Sequence, residues 1–98
     1  MKEVKKLDNL KGLTLVDFWA PWCGPCKAVS PILESVKIDS VEIVKFNIDE
    51  HNVPDELGIR SIPALVMFKD DKEIDRLIGV QPKTAIEKMI KKHVKGVK

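Results

Sequence analysis

Apolar side chains follow two spacings along the first half of the chain, one typical of strands and one typical of helices. Residues 13–20 form a nearly unbroken apolar run of strand length, as expected for a strand that is covered on both faces. The apolar residues that follow recur at helical spacing, so we predict an amphipathic helix over residues 24–38. Pro31 lies inside this pattern, where it removes a backbone donor, and it predicts a bend in the helix rather than its end.

The second half of the chain continues with strands and short connections. Residues 41–48 read as a second strand, and the order strand, helix, strand predicts parallel pairing through a right-handed crossover. A short helix is predicted over residues 52–57, with Gly58 as its C-terminal stop. Two further strand-like runs, residues 64–68 and 73–78, are separated by four charged residues, which favours an antiparallel hairpin.

Pro82 opens the last predicted helix. Its apolar stripe consists of Ile86, Met89, Ile90 and Val94, and lysines occupy the remaining surface, where we assign them no function. The chain has 98 residues, a length that suits one domain spanning residues 1–98.

Charge and composition exclude several classes of function. The 17 basic and 15 acidic residues give a net charge of +2, too small for the electrostatic footprint of nucleic-acid binding. No apolar run approaches the roughly 18 residues that cross a bilayer, and the N-terminal segment lacks the features of a signal peptide. We therefore expect a cytoplasmic protein without membrane contacts. Thiols are kept reduced in that compartment, so the two cysteines point to metal binding or redox chemistry rather than to a structural disulfide.

The two cysteines, Cys23 and Cys26, lie where a buried strand passes into a helix. Unpaired backbone N–H groups and the helix dipole favour negative charge there, so a thiolate is stabilised. Cys23 is nearest the helix start and least enclosed, which makes it the candidate nucleophile toward a disulfide, with Cys26 as the resolving thiol. Structural zinc would need four ligands, and only His51 and His93 could supplement the pair, at no recognisable zinc spacing. We therefore favour redox chemistry and expect no bound metal, with both histidines as ordinary surface residues.

Two further residues stand out from their surroundings. Asp17 interrupts the apolar strand, and an unpaired buried carboxylate costs several kcal/mol unless it is protonated or finds a partner. A functional role is favoured over local capping at a strand end. Pro63 precedes another strand, and its bond to Ile62 is of the one type that adopts the cis form at small cost. The bond type leaves both the cis isomer and a plain strand start open.

Residues 16–27, which read Val-Asp-Phe-Trp-Ala-Pro-Trp-Cys-Gly-Pro-Cys-Lys, resemble the active-site segment of the thioredoxin family almost residue for residue. The similarity extends over about residues 13–94, through Pro31-Ile32-Leu33, Lys45-Phe46-Asn47-Ile48-Asp49, Gly58-Ile59-Arg60-Ser61-Ile62-Pro63 and Gly79. It implies an α/β thioredoxin fold, with a central mixed sheet of four to five strands flanked by helices. Because the stretch before residue 13 is short for this family, we expect a first strand over residues 3–7 and a first helix that is shortened or absent.

The resemblance also implies roles for individual residues. Asp17 corresponds to the buried carboxylate beneath the cysteine pair, which exchanges a proton with Cys26, and Lys45 matches the lysine near it. The Ile62–Pro63 bond is implied to be cis and to face Cys23, with the Ile62 backbone pairing to an extended substrate segment. The implied substrate-binding surface comprises Trp22, Gly24, Pro25, Gly58, Ile59, Ile62, Pro63, Gly79 and Val80. Trp19, inside the strand, is expected in the core.

By the same resemblance the chain is a monomeric protein-disulfide reductase that needs no cofactor beyond its Cys23–Cys26 pair. Its partners would be proteins that carry disulfides and a thioredoxin reductase, linked either to NADPH or to ferredoxin. Three alternatives stay open at this point: an oxidant or isomerase on the same scaffold, a redox-inert accessory subunit, and a zinc-bridged dimer. The Gly24-Pro25 dipeptide resembles reducing members of the family more than oxidants.

Overall fold

The apolar run of residues 13–20 forms the central strand of a five-stranded sheet. In the computed structural model, which describes residues 1–94, the strands are β1 (Lys2–Glu3), β2 (Leu13–Trp19), β3 (Val41–Asn47), β4 (Ala64–Lys69) and β5 (Lys72–Ile78), and the helices are α1 (Gly24–Ser35) and α2 (Lys83–Val94). The strand order is β1-β3-β2-β4-β5. The pairs β1–β3 and β2–β3 are parallel, whereas β2–β4 and β4–β5 are antiparallel. The expected mixed sheet flanked by helices is thereby confirmed.

One face of the sheet is covered by both helices. Leu13 and Leu15 of β2 pack there in one cluster with Val29 of α1 and Ile86 of α2. Because side chains alternate along a strand, Asp17 follows on this same face, at the end of β2 that leads into α1. The strand geometry therefore directs this carboxyl toward the start of the helix.

The opposite face of the sheet is covered by irregular chain. Val16 and Phe18 belong to a second apolar cluster, which is closed by Leu7 and Leu10 from the N-terminal segment and by Ile59 from the segment after α1 and β3. No helix forms between β1 and β2 in the described part of the chain, and β1 covers only Lys2–Glu3. Of the two outcomes expected for the first helix, the structure therefore shows its absence, and the first strand is shorter than predicted. Only nine residues link β1 to β2, and this segment runs across the face of the sheet instead of forming a helix.

The turn between β4 and β5 holds this N-terminal segment in place. Asp71 accepts hydrogen bonds from the backbone N–H groups of Asn9 at 3.2 Å and Leu10 at 2.6 Å, and Asp70 accepts one from Gly12 at 2.8 Å. Both aspartates have positive φ, 47° and 73°, as a two-residue hairpin turn of the primed type requires. The turn is therefore of the primed type, and its carboxylates stabilise the N-terminal segment that covers this face of the sheet.

Two element boundaries differ from the sequence prediction. α1 ends at Ser35 instead of residue 38, because Val36 has an extended backbone and its N–H donates to the Leu33 carbonyl at 3.1 Å. The helix does continue past Pro31, as predicted. The helix predicted over residues 52–57 is a single 3₁₀ turn, Asp55–Leu57, because the residue before Pro54 is disfavoured in helical conformation.

Candidate active site

Cys23 and Cys26 are joined by a disulfide at the N-terminus of α1. Their Cα atoms are 5.3 Å apart. Cys23 is the N-cap of the helix, and its Sγ accepts a hydrogen bond from the Cys26 backbone N–H at 3.1 Å. Pro25 lies in the first turn, where the missing N–H leaves no intrahelical bond unmade. The N-cap position directs a backbone donor at one sulfur of the pair, so a thiolate formed at Cys23 on reduction is stabilised by it.

Both cysteines are almost fully buried in this disulfide form, with 4% of Cys23 and 2% of Cys26 exposed. The sequence predicted that Cys23 is the less enclosed of the two, and the difference has the expected direction but is small. Ile62 and Ile48 pack against the cluster that the two cysteines form with Ala20. The two sulfurs therefore differ mainly in their position relative to the helix start.

Asp17 lies buried beneath this helix start, with 2% of the residue exposed. Its Oδ1 has no hydrogen-bond partner within the described residues. Burial raises the pKa of Asp17 to about 7, with Glu3 adding to the increase and Lys45 opposing it. Asp17 is thus a carboxyl that titrates near neutral pH, and local capping at a strand end is not its environment.

A small cavity is lined by both this carboxyl and Cys26. It has a volume of about 120 Å³ and is lined by Asp17, Trp19, Cys26, Lys27, Ser30 and Lys45. Three of these residues were not predicted as part of the site. Lys27 and Ser30 follow Cys26 at spacings of one and four residues on α1, so helical periodicity from Cys26 could have indicated Ser30. Trp19 was expected in the core, and it is only partly buried.

Lys45 is the register partner of Asp17 across β2 and β3. Its Nζ lies 4.8 Å from the centre of the Trp19 ring, and 4.0 Å from Oε1 of Glu3 on β1. The structure therefore places Lys45 beside Asp17, as the resemblance implied, and adds Glu3, for which the sequence carries no local signal.

An apolar depression is formed in part by Ile48 and Ile62, which pack against the cysteine cluster. Its volume is about 280 Å³, and it is lined by Trp22, Ile48, Ile59, Arg60, Ser61 and Ile62. Trp22 is 66% exposed, which is unusual for a residue of its size. Of the predicted binding residues, the structure brings Trp22, Ile59 and Ile62 together here. Ile48, Arg60 and Ser61 were missed.

The remaining predicted binding residues do not line this depression. The Ile62–Pro63 bond is cis, as the resemblance implied. The Gly79 N–H donates to the Pro63 carbonyl at 2.8 Å, and Val80, the next residue, is 51% exposed. Gly58 ends the 3₁₀ turn in the left-handed conformation, at φ 60°. Gly24 and Pro25 begin α1 between the two cysteines.

Within residues 1–94 no group of three or more His, Cys, Asp or Glu side chains is arranged to hold a metal ion. His51 packs edge-on against Phe46, and the His93 Nε2 lies 2.9 Å from a carboxylate oxygen of Asp75. Both histidines are partly exposed, and each makes one of these contacts. None of the described helices is long and apolar enough to span a membrane.

Comparisons with known proteins point in one direction. A family model described as Thioredoxin matches residues 2–92. The thioredoxin of Chlamydia caviae is 48% identical, over 84% of this chain and 83% of the relative. That of Chlamydia muridarum is 46% identical over 95% and 99%, and that of Bacillus subtilis is 40% identical over 89% and 88%.

Solved structures give the same result. A point mutant of the thioredoxin from Halobacterium salinarum superposes with a TM-score of 0.84 at 28% identity, covering 93% of this chain and 88% of that one. Malassezia sympodialis thioredoxin superposes with a TM-score of 0.83 at 30% identity, covering 94% and 89%.

Proposed function

Because the chain belongs to the thioredoxin family and is a protein-disulfide reductase, we propose that Cys23 attacks the substrate disulfide and that Cys26 resolves the mixed disulfide. The observation that carries this assignment is the hydrogen bond from the Cys26 N–H to the Cys23 Sγ at the helix N-cap. A thiolate gains from that donor and from the helix dipole, and only Cys23 is placed to accept both. Cys26 lies one turn along, in contact with the cavity that contains Asp17.

The proposed reaction has two exchange steps. The Cys23 thiolate attacks one sulfur of the substrate disulfide, which forms a Cys23–substrate disulfide and releases the other substrate sulfur as a thiolate that takes up a proton. Cys26 then loses its proton and attacks the Cys23 Sγ, which forms the Cys23–Cys26 disulfide and releases the second substrate thiolate. Two electrons have passed to the substrate, and the pair needs a reductant to return to the dithiol. No bound cofactor takes part in either step.

Asp17 is proposed as the proton acceptor for Cys26 in the second step. Support comes from its burial, its place in the same cavity as Cys26, and its pKa, which burial raises to about 7. A group with that pKa can both accept and return a proton at neutral pH. Lys45, its register partner, is proposed to favour the ionised carboxylate that accepts the proton.

The apolar depression beside Cys23 is proposed as the surface that receives the substrate. An extended segment would lie along the Ile62 backbone, next to the exposed Trp22. The neighbouring residues proposed to contact it are Gly58, Ile59, Pro63, Gly79 and Val80. Gly24 and Pro25 would contact the substrate from the start of α1. A mostly apolar rim suits many unrelated sequences, because contact area rather than a specific hydrogen-bond pattern supplies the affinity.

The partners proposed are proteins that carry disulfides and a thioredoxin reductase, linked to NADPH or to ferredoxin, that reloads the pair with electrons. We propose that the chain works as a monomer, that residues 1–98 form one domain, and that the cytoplasm is its compartment. That compartment is supported by the reducing function, since disulfides are reduced there.

Trapping of the mixed disulfide tests the order of the two cysteines. Cys26→Ser is mixed with a protein that contains an accessible disulfide, and the products are separated without reductant. We expect a covalent adduct through Cys23, and no adduct from the matched Cys23→Ser variant. Adducts that form equally with Cys23→Ser would refute the assignment. A reduction potential above that of the glutathione pool would instead indicate an oxidant.

A further inference from the structure

Three charged side chains lie in one row across three neighbouring strands. Glu3 of β1 is the register partner of Lys45 of β3, and Lys45 is the register partner of Asp17 of β2. Register partners in adjacent strands direct their side chains to the same face of a sheet. The row therefore runs from the edge of the sheet inward, and it ends at the carboxyl beneath Cys26.

Glu3 is fixed at the outer end of this row. Its Oε2 accepts a hydrogen bond from the Asn47 backbone N–H at 2.9 Å, and its Oε1 lies 4.0 Å from the Lys45 Nζ. The same ammonium stands 4.8 Å from the centre of the Trp19 ring. Within residues 1–94, Lys45 makes no ion pair with Asp17 closer than 4.0 Å. The lysine thus has two partners, Glu3 and Trp19, that compete with the buried carboxyl.

We propose that Glu3 is a positioning residue for the proton-transfer step: by sharing Lys45 and placing a second negative charge on the row, it keeps the Asp17 carboxylate basic enough to take the proton from Cys26. This inference rests on the role proposed above for Asp17. Glu3 touches neither cysteine and acts only through Lys45 and the local field.

The remaining groups around Asp17 do not reproduce this effect. From α1, Cys26 and Lys27 face the shared cavity, and from β4 the register partner of Asp17 is the uncharged Leu65. Glu3 is the one carboxylate that raises the pKa of Asp17, while Lys45 lowers it and burial provides the largest increase. Neutralising Glu3 removes a repulsion and frees Lys45, and both changes favour the ionised Asp17. The pKa of Asp17 should therefore fall, while burial still holds it above its ordinary value.

Direct titration of Asp17 tests the proposal. The carboxyl carbon of Asp17 is followed by NMR from pH 5 to pH 10 in the reduced wild-type protein and in three variants. Glu3→Gln keeps an oxygen that can accept the Asn47 bond but loses the charge, and Glu3→Asp keeps the charge. Glu42→Gln is the matched control, because it removes a charge from the same strand as Lys45 at an exposed position on the opposite face. The pH profile of mixed-disulfide resolution is measured alongside.

We expect Glu3→Gln to lower the midpoint of the Asp17 titration by about half a pH unit, as befits one charge acting across a partly hydrated row. The midpoint should stay near the wild-type value in Glu3→Asp and Glu42→Gln. An unchanged midpoint in Glu3→Gln would overturn the proposal, and so would equal shifts in Glu3→Gln and Glu3→Asp, which would reflect loss of the strand contact instead of the charge. If the titration moves but the resolution profile does not, Glu3 does tune Asp17, and it is the role of Asp17 as proton acceptor that fails.

Discussion

Replacement of Asp17 by asparagine should stabilise the protein in a strongly pH-dependent way. Burial raises the pKa of Asp17 from its ordinary value of 3.8 to about 7 in the folded protein. The folded state therefore holds this proton more tightly than the unfolded state does. A carboxyl of this kind contributes its full stability below the unfolded pKa, and that contribution is lost as the pH rises through the folded pKa.

The size of the effect follows from the two pKa values. Each pKa unit corresponds to about 1.4 kcal/mol, so ionisation of Asp17 costs the folded protein about 4 kcal/mol when it is complete. The wild-type free energy of unfolding should fall by about 1.4 kcal/mol per pH unit between about pH 4 and pH 7, and the loss should level off above pH 7. Because natural domains are stable by only about 5–15 kcal/mol, this cost is a large fraction of the total.

The assay is equilibrium unfolding in guanidinium chloride, with the disulfide intact, at a series of pH values from 5 to 9. The asparagine side chain does not titrate, so its effect on the free energy of unfolding is the same at every pH. Any change with pH in the difference between Asp17→Asn and wild type therefore reports the titration of Asp17. That difference should grow in favour of the variant by about 3 kcal/mol between pH 5 and pH 8. Asp39→Asn, at an exposed position after α1, is the control and should show no such growth. Parallel wild-type and Asp17→Asn curves would refute the reasoning, because they would mean that Asp17 titrates alike in both states.

Three further results are expected. Asp71→Asn should lower the free energy of unfolding by about 1 kcal/mol in urea titrations, because asparagine tolerates the positive φ of the turn but weakens the two hydrogen bonds to the N-terminal segment. An unchanged free energy would mean that those hydrogen bonds do not stabilise the fold. Trp22→Ala should raise the KM for a protein disulfide about tenfold. Because the side chain is exposed, the free energy of unfolding should change by less than about 0.5 kcal/mol. A loss in kcat alone would contradict a binding role. The hydrogen bond from His93 lowers the pKa of Asp75, so the stability that this pair adds is present above the unfolded pKa and lost as the pH falls. Asp75→Asn should accordingly lower the free energy of unfolding by up to about 1 kcal/mol at pH 6 and leave it unchanged near pH 2, as measured by thermal unfolding. An equal loss at both pH values would exclude the ionic contribution.

Much of the site follows from local sequence. The apolar run that ends near Trp19, the helical spacing that starts at Cys26, and the proline in the first turn together place two thiols at a helix N-terminus. Asp17 could be singled out because a carboxylate in such a run is costly unless it is protonated or paired. These inferences use neighbours in the chain, whose relative positions are set by backbone geometry alone.

Other parts of the site depend on contacts between distant segments. Glu3 reaches Lys45 only because β1 pairs with β3 in one particular register, and a two-residue strand has no pattern that reveals its partner. Arg60 and Ile48 meet beside Trp22 for the same kind of reason, as they come from separate segments. The sequence left open whether the first helix is shortened or absent. Tertiary contacts decided it, because the linker covers the second apolar cluster, where Asp70 and Asp71 bind it.

The sequence by itself determined the order of strands and helices, the cysteine pair at a helix start, and the family. All three follow from the spacing of apolar residues and from motifs that are contiguous in the chain. Only the tertiary structure decided which charges surround Asp17, what covers the second face of the sheet, and which side chains border the substrate surface. The physical reason is that hydrophobic periodicity fixes which side of an element is buried, whereas the free energy of a titratable group depends on charges and desolvation contributed by every segment that packs around it.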